Sequence, residues 1–207
     1  MRIAVLGGNG KAGSLIIKEL IRRNLDVTAI VRSKNKLEEK VPTIEKDIYS
    51  LSANDIKDFD VLVCALGFRD HVEEFSSSME HLLTILAGLS VRLVVVGGAG
   101  SLYIDAEQTI ELKDSPDFPK EYKAVPTAMS ESLQLLKHSS GVTWTYVSPA
   151  ETFDAHGERT GHYQLAGEVL TRNAAGKSYI SYADYAIALA DEIEHAAHLN
   201  QRISVYS

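Results

Sequence analysis

Arg2-Ile-Ala-Val-Leu6 is a short apolar run of strand type. It passes straight into Gly7-Gly8-Asn9-Gly10-Lys11-Ala12-Gly13, and an amphipathic helical pattern begins at once. Strand, glycine turn and helix follow without a gap, and in that setting the three glycines spaced G-x-x-G-x-x-G each have a task. Gly7 lets the strand turn sharply, Gly10 carries no Cβ to hold a ligand off the backbone, and Gly13 lets the helix pack against the strand. The free N–H groups of the first helical turn, at the positive end of the helix dipole, then face a pocket suited to a pyrophosphate. The spacing is not the G-x-G-x-x-G of the common dinucleotide fingerprint, so the context of strand and helix carries the reading.

Downstream, Ala12, Ile16 and Leu20 form one i, i+4 row and Gly13, Ile17 and Ile21 the next, while Lys18, Arg22 and Arg23 fall elsewhere. That is a helix with one side on a sheet. Val27-Thr-Ala-Ile-Val31 reads as the second strand of a β-α-β unit. At its end, where an NAD-selective site usually places Asp or Glu, stands Arg32, followed by Ser33, Lys34 and Lys36. A guanidinium fork suits a 2′-phosphate, and no carboxylate is there for a 2′-hydroxyl, so the pattern favours NADP(H) over NAD(H).

Further strands are expected at Thr43-Ile-Glu-Lys46, followed by Asp47-Ile48 bordering an adenine, and at Asp60-Val-Leu-Val-Cys-Ala65, leading to Leu66-Gly67. Others follow at Val91-Arg-Leu-Val-Val-Val96 and Thr143-Trp-Thr-Tyr-Val147, with Ser148-Pro149-Ala150 turning out of the sheet. Uninterrupted apolar strands imply a sheet covered on both faces. The stripe Val72, Phe75, Met79, Leu82, Leu83 and Leu86 reads as core or dimer contact. A helix is expected after Pro126, with Met129, Leu133 and Leu136 on one face. Gly97-Gly98-Ala99-Gly100 and Ser101 follow the fifth strand, where ligands gather in open α/β sheets, so Ser101 is the first candidate to touch substrate. Residues 102–121 lack a clean period and read as a loop able to cover a cleft. From 151 to 207 no β-α-β unit repeats. Phe153, His156 and Tyr163 lie in a glycine-punctuated stretch, a last helix opens at Ile180–Asp184, and Ile203–Tyr206 is expected as an edge strand.

The bulk properties limit the partners. The 207 residues suit one domain, 1–207, with 151–207 as a small substrate-side segment. A net charge of −7 with scattered basic residues disfavours nucleic acid. No apolar run approaches the ~20 residues of a membrane span, a strand at residue 2 leaves no room for a signal peptide, and the lone Cys64 has no disulfide partner. A cytoplasmic address, a small-molecule partner, no membrane and a monomer or homodimer are the expectations. His195 and His198 lack a third ligand nearby, so no metal is expected.

Together, Gly7-x-x-Gly10-x-x-Gly13, Arg32, Cys64-Ala-Leu-Gly67, Val95-Val-Gly-Gly-Ala-Gly-Ser101-Leu, Trp144-Thr-Tyr-Val-Ser-Pro149 and Ile180-Ser-Tyr-Ala-Asp-Tyr-Ala186 make the chain resemble an atypical short-chain dehydrogenase/reductase. Within that superfamily it resembles the NADH-flavin reductase group, related to biliverdin reductase B and the NmrA-like proteins, over essentially its whole length. The resemblance implies an α/β, Rossmann-type, doubly wound parallel sheet of strand order 3-2-1-4-5-6, a nicotinamide nucleotide across it, and reduction of an exchangeable flavin or quinone-like acceptor. It further implies that Gly7, Asn9, Gly10, Lys11, Ala12 and Gly13 contact the pyrophosphate, Arg32 the 2′-phosphate, Asp47 and Ile48 the adenine, and Ala65 and Leu66 the ribose, with Gly67 also in the cofactor site. Gly98 and Ser101 would stand at the nicotinamide, with Ser101 and Tyr103 as the catalytic candidates and Phe153, His156 and Tyr163 on the substrate side. The Tyr-x-x-x-Lys pair of classical members is missing, since Tyr122 is followed four positions on by Pro126. A flavin tolerates that loss better than a carbonyl does, because its ring system delocalises the incoming charge. Two alternatives stay open: a cofactor-binding sensor of NmrA type, and a sugar-nucleotide epimerase or dehydratase, for which the short C-terminal segment offers little substrate domain.

Overall fold

The computed structural model describes residues 1–34 and 37–207. Parallel strands form the centre: β1 (Arg2–Leu6), β2 (Asp26–Val31), β3 (Thr43–Glu45), β4 (Val61–Cys64), β5 (Arg92–Val96) and β6 (Trp144–Pro149). β7 (Thr152–Asp154), β8 (Gln164–Ala166), β9 (Tyr179–Ser181) and β10 (Gln201–Tyr206) follow. The main sheet has the order β3-β2-β1-β4-β5-β6-β10-β8, with only β8 antiparallel, and β7 and β9 form a separate pair. The expected order 3-2-1-4-5-6 is therefore the first three quarters of the sheet.

The fully buried strands VLVC and RLVV need cover on both sides, and helices supply it. On one face α1 (Lys11–Arg22) and α5 (Tyr182–His195) pack Ile16, Ile17, Leu20, Leu189 and Ile193 against Ile3, Val5, Val63 and Val94. On the other, α3 (Glu74–Leu86) and α4 (Ala124–Lys137) pack Met79, Leu82, Leu86, Leu133 and Leu136 against Leu62, Leu93 and Trp144. The stripe from Phe75 to Leu86 is thus core. A one-turn helix, α2 (Ala53–Ile56), begins in a capping box between Ser52 and Asp55. Among the described residues no helix is long and apolar enough to cross a membrane.

Three expectations are corrected. Ser148 and Pro149 do not turn out of the sheet: they extend β6 and pair in register with Ser204 and Val205. β10 is not an edge strand, because it lies between β6 and β8, and β8 forms the edge. The helix expected after Pro126 begins at Ala124, with Pro126 inside its first turn, where no intrahelical acceptor awaits its missing N–H. The loop from 102 to 121 is also tied down: Leu102 and Leu112 are buried, and Tyr103 bridges to both Glu111 and Val169.

Candidate functional site

The carboxyl ends of β1 to β4 frame a cleft of about 370 Å³. It lies where the strand order reverses, between β1 and β4, the place where open α/β sheets receive ligands. Gly7, with φ +80°, bends the chain out of β1 in a conformation that side chains rarely adopt, and a Cβ there would sit 2.7 Å from the carbonyl oxygen of Ala65. Gly13 has the packing task expected of it, since a Cβ there would lie 2.3 Å from the Gly7 carbonyl oxygen.

Gly10 caps α1 in an extended conformation without a side-chain acceptor, and no acidic residue occupies the first turn. The Gly10 N–H donates back to Gly7 O at 2.9 Å and Ser14 donates to Gly10 O at 2.9 Å. Among the described residues nothing accepts from the N–H groups of Lys11, Ala12 and Gly13. Bare amides at a helix start, with no carboxylate to compete, fit a diphosphate.

The lining includes Gly7, Asn9, Gly10, Arg32, Asp47, Ile48, Ala65, Leu66 and Gly67, so nine of the expected cofactor residues share one wall or another of this cleft. Arg32 follows the last residue of β2, is exposed, and makes no ion pair among the described residues. Asp47 caps the 3-10 turn Ile48–Ser50 by accepting from the Tyr49 N–H at 2.9 Å, which places the buried Ile48 in the cleft wall. Lys46, also on the wall, donates to both oxygens of Asp55 at 2.7 and 2.8 Å. Hydrogen bonds from Lys46 and Ser52 hold the Asp55 carboxyl down at about 2. Lys36 lies outside the described residues.

The stretch after β4 was missed from sequence. Phe68, Arg69, Asp70, His71 and Glu74 line the same cleft, and Arg69 adds a second exposed cation without an ion pair among the described residues. The available signal was position: a polar run directly beyond the carboxyl end of a central strand belongs to the crevice. Leu66 and Phe68 also border a second, small apolar hollow with Val96, Met129 and Tyr146. Burial pushes the Tyr146 hydroxyl up to about 12 and the Cys64 thiol up to about 11, so both are neutral in this wall.

Other expected residues lie elsewhere. Ser101 does not line the cleft: it is 3% exposed, and its hydroxyl and carbonyl oxygens each accept from Arg202 Nη1 at 2.8 Å. Arg202 also reaches the carboxylate of Glu168, and its guanidinium lies 5.8 Å from the Tyr103 ring centre. The backbone of Tyr103 is held between Glu168 O and Leu170 N–H. These two catalytic candidates are therefore part of a buried polar tie between β10 and the loop after β5. Gly98 is likewise outside the cleft, its N–H pointing at the Tyr146 hydroxyl at 3.4 Å. Phe153 stacks on Tyr182 at 3.8 Å and tilts against Tyr185. Tyr163 donates to Asp191 at 2.5 Å, and burial together with that carboxylate raises its hydroxyl to about 12. His156 is exposed. The structure thus does not gather Phe153, His156 and Tyr163 around the cleft, because long-range contacts with α5 and β9 dictate where that stretch lies. Lys11, Ala12 and Gly13 stand in the first turn of α1, next to the lining Gly10.

Known proteins match this chain over most or all of its length. Residues 7–196 match the model of a family described as NAD(P)H-binding. An uncharacterised Bacillus subtilis (strain 168) protein, YwnB, is 46% identical over 210 residues, covering 100% of this chain and 99% of that one. A crystal structure from Streptococcus pneumoniae TIGR4, named a putative NADH-flavin reductase, superposes with a TM-score of 0.96 at 46% identity, covering 100% of this chain and 99% of that one. A Lactobacillus casei structure superposes with a TM-score of 0.90 at 28% identity over 100% of this chain and 99% of its own. The chain belongs to the NAD(P)H-binding family.

Proposed function

We propose that the protein is an NAD(P)H-dependent reductase that passes hydride to a flavin or quinone-like acceptor, with NADPH the better donor. The observation that carries the reading is the start of α1, where the unpartnered amides of Lys11, Ala12 and Gly13 stand beside a cleft that also holds Arg32 and Arg69. The name of the Streptococcus pneumoniae relative supports the acceptor class. When bound, the reduced nicotinamide supplies the hydride. The protein's own part is to hold the diphosphate on the α1 amides, to orient the adenosine end between Arg32, Asp47 and Ile48, and to present the apolar wall of Leu66, Phe68, Val96 and Met129 to the reacting rings. An acceptor that delocalises charge suits this site, since Tyr122 is 69% exposed and Pro126 stands where its lysine would be.

Steady-state oxidation of NADPH in the presence of riboflavin, FMN or a benzoquinone tests the reading. Turnover well above the protein-free rate is expected, and a rate equal to that background with every acceptor rejects it. One observation favours a second reading, a sensor that binds the nucleotide without turnover: the Ser101 hydroxyl is occupied by Arg202 and does not face the cleft. Tight nucleotide binding without turnover in the same assay would select that reading.

A further inference from the structure

Arg32 argues for a 2′-phosphate, yet the loop that carries it is fastened by an acid. β2 and β3 pair with Val31 opposite Glu45, so Glu45 stands across from the residue before Arg32. The Glu45 side chain is exposed, and its Oε2 accepts from the backbone N–H of Lys34 at 2.7 Å. The same end of β3 is fixed further by the Lys46 N–H donating to Val31 O at 3.0 Å, and Lys46 and Asp47 then enter the cleft wall. The turn Arg32-Ser33-Lys34 is therefore folded back onto β3 by a carboxylate.

We infer that Glu45 sets nucleotide selectivity, holding the Arg32 turn in place while weakening the hold on a 2′-phosphate. This inference rests on the nucleotide reading of the cleft given above. Two effects act in the same direction. The Lys34 amide, one of the few backbone donors in the turn, is already taken by Glu45. A phosphate beside Arg32 would also feel the carboxylate's negative charge across a hydrated gap, whereas the 2′-hydroxyl of NADH carries no charge to be repelled. Among the described residues Arg32 forms no ion pair with Glu45, so the guanidinium is not neutralised and the opposition is partial. The protein thus combines a cation that welcomes the phosphate with an acid that limits the welcome, and a modest preference for NADPH follows.

The experiment is a titration of the full chain, and of Glu45→Gln and Glu45→Ala, with NADPH and with NADH, followed by nucleotide fluorescence at low and high salt. Gln keeps an oxygen that can accept from the Lys34 amide and removes only the charge, so it separates electrostatics from loop geometry. The ratio of NADPH to NADH affinity is expected to rise about threefold to tenfold in Glu45→Gln, the scale of one charge acting across a solvated site, and to fall back in high salt. A merely structural role would weaken both nucleotides together, and that result, or an unchanged ratio in Gln and Ala alike, overturns the inference. Failure of the native chain to bind either nucleotide would instead remove the cleft reading itself, and this inference with it.

Discussion

At the scale of single residues, the consequential positions are those where one atom decides what fits. Arg32 is the clearest for recognition. Arg32→Ala should lose about 1–3 kcal/mol of binding free energy toward NADPH and much less toward NADH, the range of a charge-assisted hydrogen bond. Parallel titrations with the two nucleotides check it, and equal losses would count against a 2′-phosphate contact. Gly13 is the clearest for structure. The methyl of Gly13→Ala would meet the Gly7 carbonyl oxygen at 2.3 Å, so helix and turn must move apart, at about 1–3 kcal/mol of stability. A lower denaturant midpoint with an unchanged slope is the expected result, accompanied by weaker nucleotide binding because the amides move with the turn. Glycines 7, 10 and 13 were legible in the sequence because their spacing and their place between strand and helix are local facts. Arg69 was not, because its approach to the same cleft depends on how β4 pairs with β1.

Among the elements, α5 organises the carboxyl-terminal segment. Its cap, Ser181, accepts from the Asp184 N–H at 3.0 Å, and the buried Asp184 in turn accepts from the N–H groups of Thr160 and Gly161 and from the Thr160 hydroxyl. One turn of helix thereby anchors a stretch that has no regular structure of its own. Arg159 and Tyr163 add ties from either side, to Glu19 of α1 at 3.0 Å and to Asp191 of α5 at 2.5 Å. Arg23 then joins Glu19, Asp191 and Glu194; burial works against its charge, but these hydrogen bonds raise its pKa further. Asp184→Ala would leave the Thr160 and Gly161 amides without an acceptor and remove an acid from the helix start. A loss of at least about 2 kcal/mol is expected. Hydrogen exchange at those two amides should quicken more than at β1, whereas uniform quickening would mean that the segment is not separately anchored. The aromatic and histidine residues here looked like a substrate wall in the sequence. Their hydrogen bonds and stacking partners, all long-range, make Phe153 and Tyr163 structural.

For the whole molecule, acid stability follows from carboxylates held down by their partners. Hydrogen bonds from Lys46 and Ser52 keep Asp55 at about 2, and those from Lys113 and Lys123 lower Asp114. A carboxylate with a depressed folded pKa contributes stability above its unfolded value near 4, and that contribution disappears as pH falls through the folded value. Stability should therefore hold through neutrality and fall below about pH 4, with the Asp55 part lost toward pH 2. Lys46→Met lets the folded Asp55 pKa rise toward its unfolded value, so the Asp55 part of this decline should shrink and the drop in stability between pH 7 and pH 3 should be smaller than in the native chain. Chemical denaturation at stepped pH measures it, and identical acid limbs in variant and native chain would contradict the assignment.

The same scale separates what the amino-acid order determined from what it left open. Helical i, i+4 rows, apolar runs and glycine spacing established a β-α-β start, a sheet covered on both faces and the glycine turn between β1 and α1, because each depends on neighbours within one or two turns of chain. The place of β10 between β6 and β8, the burial of Ser101 under Arg202 101 residues away, and the fastening of the Arg32 turn by Glu45 were decided only by tertiary structure. These depend on strand pairing and on which polar groups find partners once buried. A side chain's chemistry is carried by its own atoms, but whether those atoms face a ligand or a neighbour is set by everything packed around them.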